Sequence, residues 1–431
     1  MSIYTDSNTA QLAYARSGAI KSEDVTVTEL TPLNVLSDTL TPEIQTETSD
    51  DIRDDGQYSI SRNVGGSVGG DVNVNLRFGE YDDFLAAALR NEWEPHSTDS
   101  DVAYLWNGVK KIPFLLERRL RRLNDAGDET WNDYRRFYNQ HLGSMNIDLS
   151  AKSFVSASMT FMGTGFENTE VDATADPLAG KLPTVVEYGA RGSNDPFDAS
   201  NSVSGLTIKD KNCDDLMLVM EQGSVQFSSD LREDDAVGHR YAANIGFSRF
   251  MATLDGTYYF RDQSVLNAMM NDEDLQVQFT LEDEGNLYQV TFPRMRVMSN
   301  GEEIGGVDET LRTPANLQAF PADVEIDGVT RNVTCWIKRV AKGTAGDDYT
   351  SCFPDSDLTT TYTLTYTAGP NGSITGNTNQ SVAEGEDGTE VVAVPDVDYE
   401  FVEWSDGVAT AARTDLAVSE DVTVTATFAL I

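Results

Sequence analysis

Histidine and cysteine are nearly missing from this 431-residue chain, with three of each. His96, His141 and His239 stand in no recognisable catalytic context, so a base for nucleophilic catalysis is hard to assemble. Cys213, Cys335 and Cys352 are an odd number at scattered spacings, which argues against a disulfide framework and a zinc cluster. Reduced, buried thiols are the expectation. Basic residues are scarce too: 31 Lys and Arg stand against 71 Asp and Glu, a formal net charge of -40. Tight binding to a phosphate backbone draws on released counterions and needs a basic surface, so such binding is disfavoured. An acidic protein can still surround DNA without gripping it. No run offers the roughly 18 apolar residues of a membrane helix. The start, MSIYTDSNTAQLAYARSG, has neither a basic n-region nor an apolar h-region, and residence in a cytosol is expected.

Motifs of catalysis are absent as well. There is no phosphate-cradling glycine loop followed by Lys and Ser/Thr, no HExxH and no CxxC. Gly65-Gly66-Ser67-Val68-Gly69 matches the nucleophile-elbow pattern, but that motif needs a strand before the serine and a helix after it, and here an alternating strand follows. A loop or bulge is the expected structure of these glycines. The acidic clusters at Asp50–Asp55 and Glu233–Asp235 lack the spacing of a calcium loop and read as solvated turns. No enzyme, no cofactor and no metal site is therefore expected.

What is present is a repeat. The turn Ser49-Asp50-Asp51-Ile52-Arg53-Asp54-Asp55 leads into GDVNVNLRFGEYDDFLAAALRNE from Gly70. Some 180 residues on, Ser228-Ser229-Asp230-Leu231-Arg232-Glu233-Asp234 leads into ATLDGTYYFRDQSVLNAMMNDED from Ala252. Both copies read as turn, strand and short helix, the signature of a unit built to tile or to form a ring. In the first strand Val72, Leu76 and Phe78 alternate with Asp71, Asn73, Asn75 and Arg77, which buries one face. Leu254, Tyr258 and Phe260 are the counterparts, with Gly256 replacing Val74. The period then changes: Tyr81, Phe84, Leu85, Ala88 and Leu89 form one helical stripe, with Asp82 and Asp83 at its N-terminus. The second stripe is Val265, Leu266, Met269 and Met270, capped by Asp262 or Ser264, with one residue fewer between strand and helix. Helices of about three turns are unstable alone. Phe84, Leu85, Leu89, Val265, Leu266 and Met270 are thus the expected contacts to a sheet.

Length and a hydrophobic content of 39% allow two to four domains with real cores. Residues 1–24 are polar and aperiodic, an arm expected to order only against a neighbour. Lys110–Gln140 has no second copy and concentrates arginine. Arg118, Arg119, Arg121 and Arg122, with Arg135 and Arg136, are either a nucleic-acid patch or partners in salt bridges within or between subunits; the surrounding acidity favours salt bridges. A Gly-, Asp-, Pro-, Asn- and Ser-rich stretch separates the halves, and a second one, 343–361, precedes a terminal region of short Thr- and Val-rich strands with Gly turns.

These residues carry two resemblances. The run from Leu40 through Asn91, with its Tyr81–Leu89 helix YDDFLAAAL, resembles the N-terminal signature of tail tube proteins from long, non-contractile-tailed bacteriophages. SASMTFMG at Ser156–Gly163 and LQVQFTLEDEGNLYQVTFPRMRV at Leu275–Val297 extend the likeness over about residues 25 to 340. The last region, with YTLTYTAGPNGSITG, FVEWSDG at Phe401–Gly407 and DVTVTATF at Asp421–Phe428, is similar to the internalin-type B-repeat, and Trp404 and Phe428 are its expected core.

The first resemblance implies a mainly β fold: two tandem tail-tube-like units, each of packed antiparallel sheets plus one short helix, forming part of a ring β-barrel. The second adds a small all-β, Ig-like decoration domain. The boundaries read as arm 1–24, unit 25–165, connection 166–210, unit 211–342, linker 343–361 and terminal domain 362–431. A major tail tube subunit made in the host cytoplasm and built into the virion tail is implied. Its partners would be further copies of itself, tape measure, tail tip and tail terminator proteins, and viral DNA passing through the lumen. Duplication favours three-membered, pseudo-sixfold rings over the six-membered alternative. The other readings are a surface adhesin that uses the terminal domain on a host surface, and a carboxylate enzyme such as a glycosidase.

Overall fold

Alternating polar and apolar residues make most of this chain strand. The computed structural model describes residues 10–431 apart from 53, 56, 59, 98, 124–128, 173–186, 211–212, 302–309, 342–360 and 384. It divides into two compact units, 1–354 and 355–431. The first half of the larger unit holds β1 (Ala10–Arg16), β2 (Glu29–Pro32), β3 (Ser37–Asp38), β4 (Thr41–Thr48), β5 (Ser61–Asn75), α1 (Asp82–Leu89), β6 (Glu94–Pro95) and β7 (Val102–Trp106). β8 (Phe114–Leu123), β9 (Glu129–Ser150), β10 (Ser156–Gly163), β11 (Gly165–Asp172) and the short β12 (Glu187–Tyr188) follow. The second half holds β13 (Val203–Lys209), β14 (Met220–Ser228), β15 (Leu231–Asp234), β16 (Asn244–Phe247), β17 (Met251–Tyr259), α2 (Ser264–Met270) and β18 (Leu275–Asp283). It closes with β19 (Asn286–Asn300), β20 (Arg312–Ala319), β21 (Ala322–Ile326), β22 (Val329–Val333) and β23 (Trp336–Val340).

One pairing pattern occurs twice. In the first half β3 and β4 pair with β5, β5 with β10, and β10 with the C-terminal part of β9, all antiparallel. The N-terminal part of β9 leaves that sheet to pair with β8 and β11, and β8 pairs with β1. In the second half β14 pairs with β17, β17 with β20, and β20 with the C-terminal part of β19. The N-terminal part of β19 pairs with β18 and β23, and β18 with β13. β9, of 22 residues, and β19, of 15, therefore each serve two sheets. A register shift marks each crossing, at Thr160/Phe161 opposite β9 and at Val297/Ser299 in β19. A bulge bends its strand and lets one strand turn a corner between packed sheets.

The helices close the apolar faces. α1 packs on β9, β14 and β7, and α2 on β19. Phe84, fully buried, lies 4.6 Å from the Tyr14 ring, 4.9 Å from Phe114 and 5.8 Å from Phe161, so the helix is pinned by aromatic contacts from three strands. Asp82 and Asp83 occupy the first turn of α1 without capping it through their side chains. Asp83 holds Arg16 at 2.8 Å and Asp82 holds Arg339 at 2.9 Å, tying the helix N-terminus to β1 and to β23.

Four expectations are corrected. Residues 10–16 are not a loose arm: Leu12, Ala13 and Tyr14 are buried in succession in β1. Burial on both faces erases the alternation that identifies a strand in sequence. The connection between the halves contains β11 and β13, both paired in the outer sheets. The offset of 182 that relates Gly70 to Ala252 also relates Asp82, where α1 begins, to Ser264, where α2 begins, so no residue is lost before the second helix. Cys335 is free and buried, but Cys213 is disulfide-bonded; Cys352 lies outside the described residues, as does the expected linker up to residue 360.

The smaller unit comprises β24 (Thr361–Ala368), β25 (Gly372–Thr375), β26 (Asn379–Ala383), β27 (Val391–Pro395), β28 (Tyr399–Trp404), β29 (Ala412–Arg413) and β30 (Val422–Leu430). They form one sheet in the order β26-β24-β30-β28 and another in the order β25-β27-β29. Between them Trp404, Leu364, Val391 and Ala426 are buried to 2% exposure or less, with Phe428 beside them. Trp404 donates its indole N–H to the Thr410 carbonyl at 3.0 Å, which satisfies the one polar atom that its burial strands.

Candidate functional site

The two inner sheets of the larger unit are joined. β14 pairs antiparallel with the C-terminal part of β9, from Ser144 opposite Ser228 to Ser150 opposite Gln222. An eight-strand array results, ordered β4-β5-β10-β9-β14-β17-β20-β19, with β3 continuing the β4 edge. Residues directly opposite on antiparallel strands share a face. One row runs Val74, Ala157, Ile147, Val225, Leu254, Leu317 and Val297 across seven strands, all buried. This is the core face, covered by the helices and the outer sheets.

The other face is mainly polar, with Met251 an exposed apolar exception. One row reads Ser37, Asn73, Ser158, Asn146, Gln226, Thr253, Gln318 and Arg296. A second reads Asn75, Ser156, Asp148, Ser224, Asp255, Asn316 and Ser299. Short side chains bond one another across it: Thr160 donates to Asp71 at 2.7 Å, Asn146 to Asp148 at 2.9 Å, and Asn73 to Ser37 at 3.0 Å. Asp71, Asp148 and Asp255 give the face negative charge, and no lysine occurs in either row. Its arginines are neutralised locally, Arg296 by Asp274 at 2.5 Å and Arg312 by Glu221 at 2.5 and 3.2 Å. A depression of about 530 Å³ lined by Asp148, Gln222, Ser224, Asp255 and Asn316 opens on this face. Such a surface is polar and carries uncompensated carboxylates, which disfavours tight binding of a phosphate chain.

The residues singled out from sequence fall elsewhere. Phe84, Leu85 and Leu89 lie in the main core under α1. In α2 the buried positions are Val265 and Ala268; Leu266 is half-buried and Met270 is 72% exposed, because α2 turns its Val265–Ala268 side to β19. Arg118 forms an ion pair with Asp38 and donates to the Leu40 carbonyl at 2.8 Å. Arg122 pairs with Glu170 at 2.6 Å, and Arg119 bonds Asn132 at 3.3 Å with its guanidinium over the rings of Tyr134 and Tyr188. Arg121 lies on the same strand. These arginines belong to the outer hairpin of β8 and β9, away from the polar rows. Gly65 to Gly69, expected as a loop or bulge, lie inside β5 with a register shift at their start, where Gly65 opposes Gln45 and Asn63 opposes Thr46, and a Cβ on Gly66 or Gly69 would fall on the carbonyl oxygen of Glu43 or Phe161. The glycines serve close strand packing, and the serine between them is no nucleophile elbow.

Titration marks structural spots. Burial raises Asp82 above the ordinary carboxylate range, with Arg339 and the Tyr288 hydroxyl opposing. Burial, and then the charge of Lys111, lowers His141 to about 4. Neither group lies on the polar rows. Among the described residues no cluster of His, Cys, Asp and Glu is placed to hold a metal ion.

Sequence reasoning found the strands that carry the polar face in β5 and β17 but not those of β9, β10, β14 and β20, where alternation of Ser, Asn and Asp with Met, Ile and Val was the available signal. No curated protein matches the chain. The family model for phage tail tube proteins matches residues 7–335, and that for a divergent InlB B-repeat domain matches residues 362–431. With more than half its length matched, on a mainly β framework whose inner sheet has one buried and one polar face, the chain belongs to the phage tail tube protein family, with a B-repeat domain at its C-terminal end.

Proposed function

We propose that this virion protein is the major tail tube subunit of a long, non-contractile tail, and that its eight-strand array is one third of a ring whose polar face lines the DNA channel. Family membership carries the structural role and self-assembly into a tail tube. The observation supporting the finer reading is the β9–β14 seam: two four-strand sheets of like topology already continue into one another within a chain. The two halves act as two tail tube units, taken as about 10–172 and 203–340 once β1, β11 and β13 are counted with the sheets they pair in, so three chains supply six units to a closed ring. Closure pairs the remaining strand edges, which would otherwise promote indiscriminate aggregation. An anionic wall of Asp71, Asp148 and Asp255 repels DNA phosphates and lets the genome slide. The tube abuts tape measure, tail tip and terminator proteins, and the B-repeat domain is displayed on the outside.

Electron microscopy of assembled tails tests this directly. Three chains per ring are expected, with Asn146, Asp148, Ser224 and Asp255 at the lumen wall. Six chains per ring, or a lumen of net positive potential, would remove the reading.

A further inference from the structure

Resting on that tube reading, the internal seam specifies the seam between copies residue by residue. Among the described residues, β3 and β4 pair only with β5, and Arg296–Asn300 of β19 pair only with β20. These open edges are the topological counterparts of the two strands that meet inside the chain. Asp38 opposes Val72 as Val225 opposes Leu254, and Thr41 opposes Gly69 as Ser228 opposes Met251. Residues 38–41 therefore correspond to 225–228, and buried Leu40 stands for buried Phe227. On the other edge, Val297 opposes Leu317 as Met145 opposes Met159, and Ser299 opposes Asn316 as Asn146 opposes Ser158. Met298 is the one inserted residue.

We infer that the β3–β4 edge of one copy pairs antiparallel with the β19 edge of the next, Leu40 opposite Val297 and Thr39 opposite Ser299. Inside the chain Phe227 faces Met145 and Gln226 faces Asn146 in the same way. The ionic side chains beside the proposed pair are compensated within each chain, Asp38 by Arg118 and both Arg294 and Arg296 by Asp274, so the match rests on register and not on charge. Exposed apolar side chains also sit at these edges, Leu36 at 61% and Met298 at 54%. In the free chain Arg118, bonded to Asp38 and to the Leu40 carbonyl, places a charge on the open edge and discourages unspecific strand addition. The carbonyl keeps a second lone pair for the incoming strand.

Cysteine pairs test the register. Thr39 and Ser299 are both exposed, and the Thr39 N–H donates inward to Asp71 O, so positions 39 and 299 form a non-hydrogen-bonded pair, where Cβ atoms approach most closely. In oxidised tails of a T39C/S299C variant, non-reducing gels are expected to show a ladder that closes at three chains. N146C/Q226C, the internal equivalent, is expected to link within one chain. T39C/M298C is expected not to link. Tubes in which the internal pair forms but T39C/S299C does not would overturn the register while leaving the tube reading intact. Without any substitution, hydrogen exchange at the Leu40 and Val297 amides is expected to slow on assembly, and unchanged exchange in intact tubes would also overturn the register. A chain that forms no ring or tube at all would remove both readings.

Discussion

His141 shows how a single residue couples burial to solution conditions. It is 5% exposed in β9, its ring is edge-on to Phe247 at 5.4 Å, and its pKa is lowered from 6.5 to about 4 by burial and by Lys111. Between those values the unfolded chain binds a proton that the native chain does not, so this residue's contribution to stability rises with pH there. It is complete above pH 6.5 and is lost as pH falls toward 4. Replacing it by glutamine should remove this slope: the stability difference between wild type and H141Q should shrink by up to about 3 kcal/mol from pH 7 to pH 4. Urea midpoints of both proteins across that range check it, and parallel curves would contradict it. In sequence His141 is one histidine of three, with nothing to mark it as buried.

At the scale of elements, β5 illustrates why a pattern is legible while its purpose is not. The alternation from Gly70 to Phe78 announces a strand with one apolar face. The glycines before it resemble a loop because glycine is conformationally permissive. Only the approach of β4 and β10 to within Cβ range shows that Gly66 and Gly69 are absent side chains rather than flexible joints. A G66V substitution would drive a side chain into the Glu43 carbonyl and part β4 from β5. A loss of roughly 1–3 kcal/mol is expected, as for other overpacked sites. Thermal unfolding measures it, and an unchanged midpoint would mean that this pairing does not hold in solution. The helices obey the same division: a stripe predicts an apolar side, but α2 is short and its stripe rotates toward Val265 and Ala268 once β19 supplies the contact.

For the whole molecule, two compact units with no buried cluster shared between them among the described residues imply two independent stability units. The smaller one has its own sheets and its own buried cluster around Trp404, Tyr366 and Phe428. Arg413 bridges Asp406 and Asp415 at 2.6 Å each, and the Tyr366 hydroxyl donates to Asp415 at 2.6 Å, so its polar contacts close on themselves. Deleting Tyr362–Ile431 should therefore leave tube formation intact, with thinner tails in electron micrographs. Loss of tubes from that truncation would show that the domain takes part in assembly.

By itself the sequence determined the β-rich class, the repeated strand-and-helix unit, the acidic surface and the resemblance to tail tube proteins, because period, composition and local motif are properties of neighbouring residues. It did not determine that β1 belongs to a sheet, that β9 and β19 change sheets midway, or that β9 meets β14. Those pairings bring residues from distant parts of the chain side by side, and antiparallel ladders accept many partners of equal alternation. Which one forms is settled by the core that must be buried on one side. Only that choice lines up Asn146, Gln226, Thr253 and Gln318 into a single polar wall and leaves two complementary edges open.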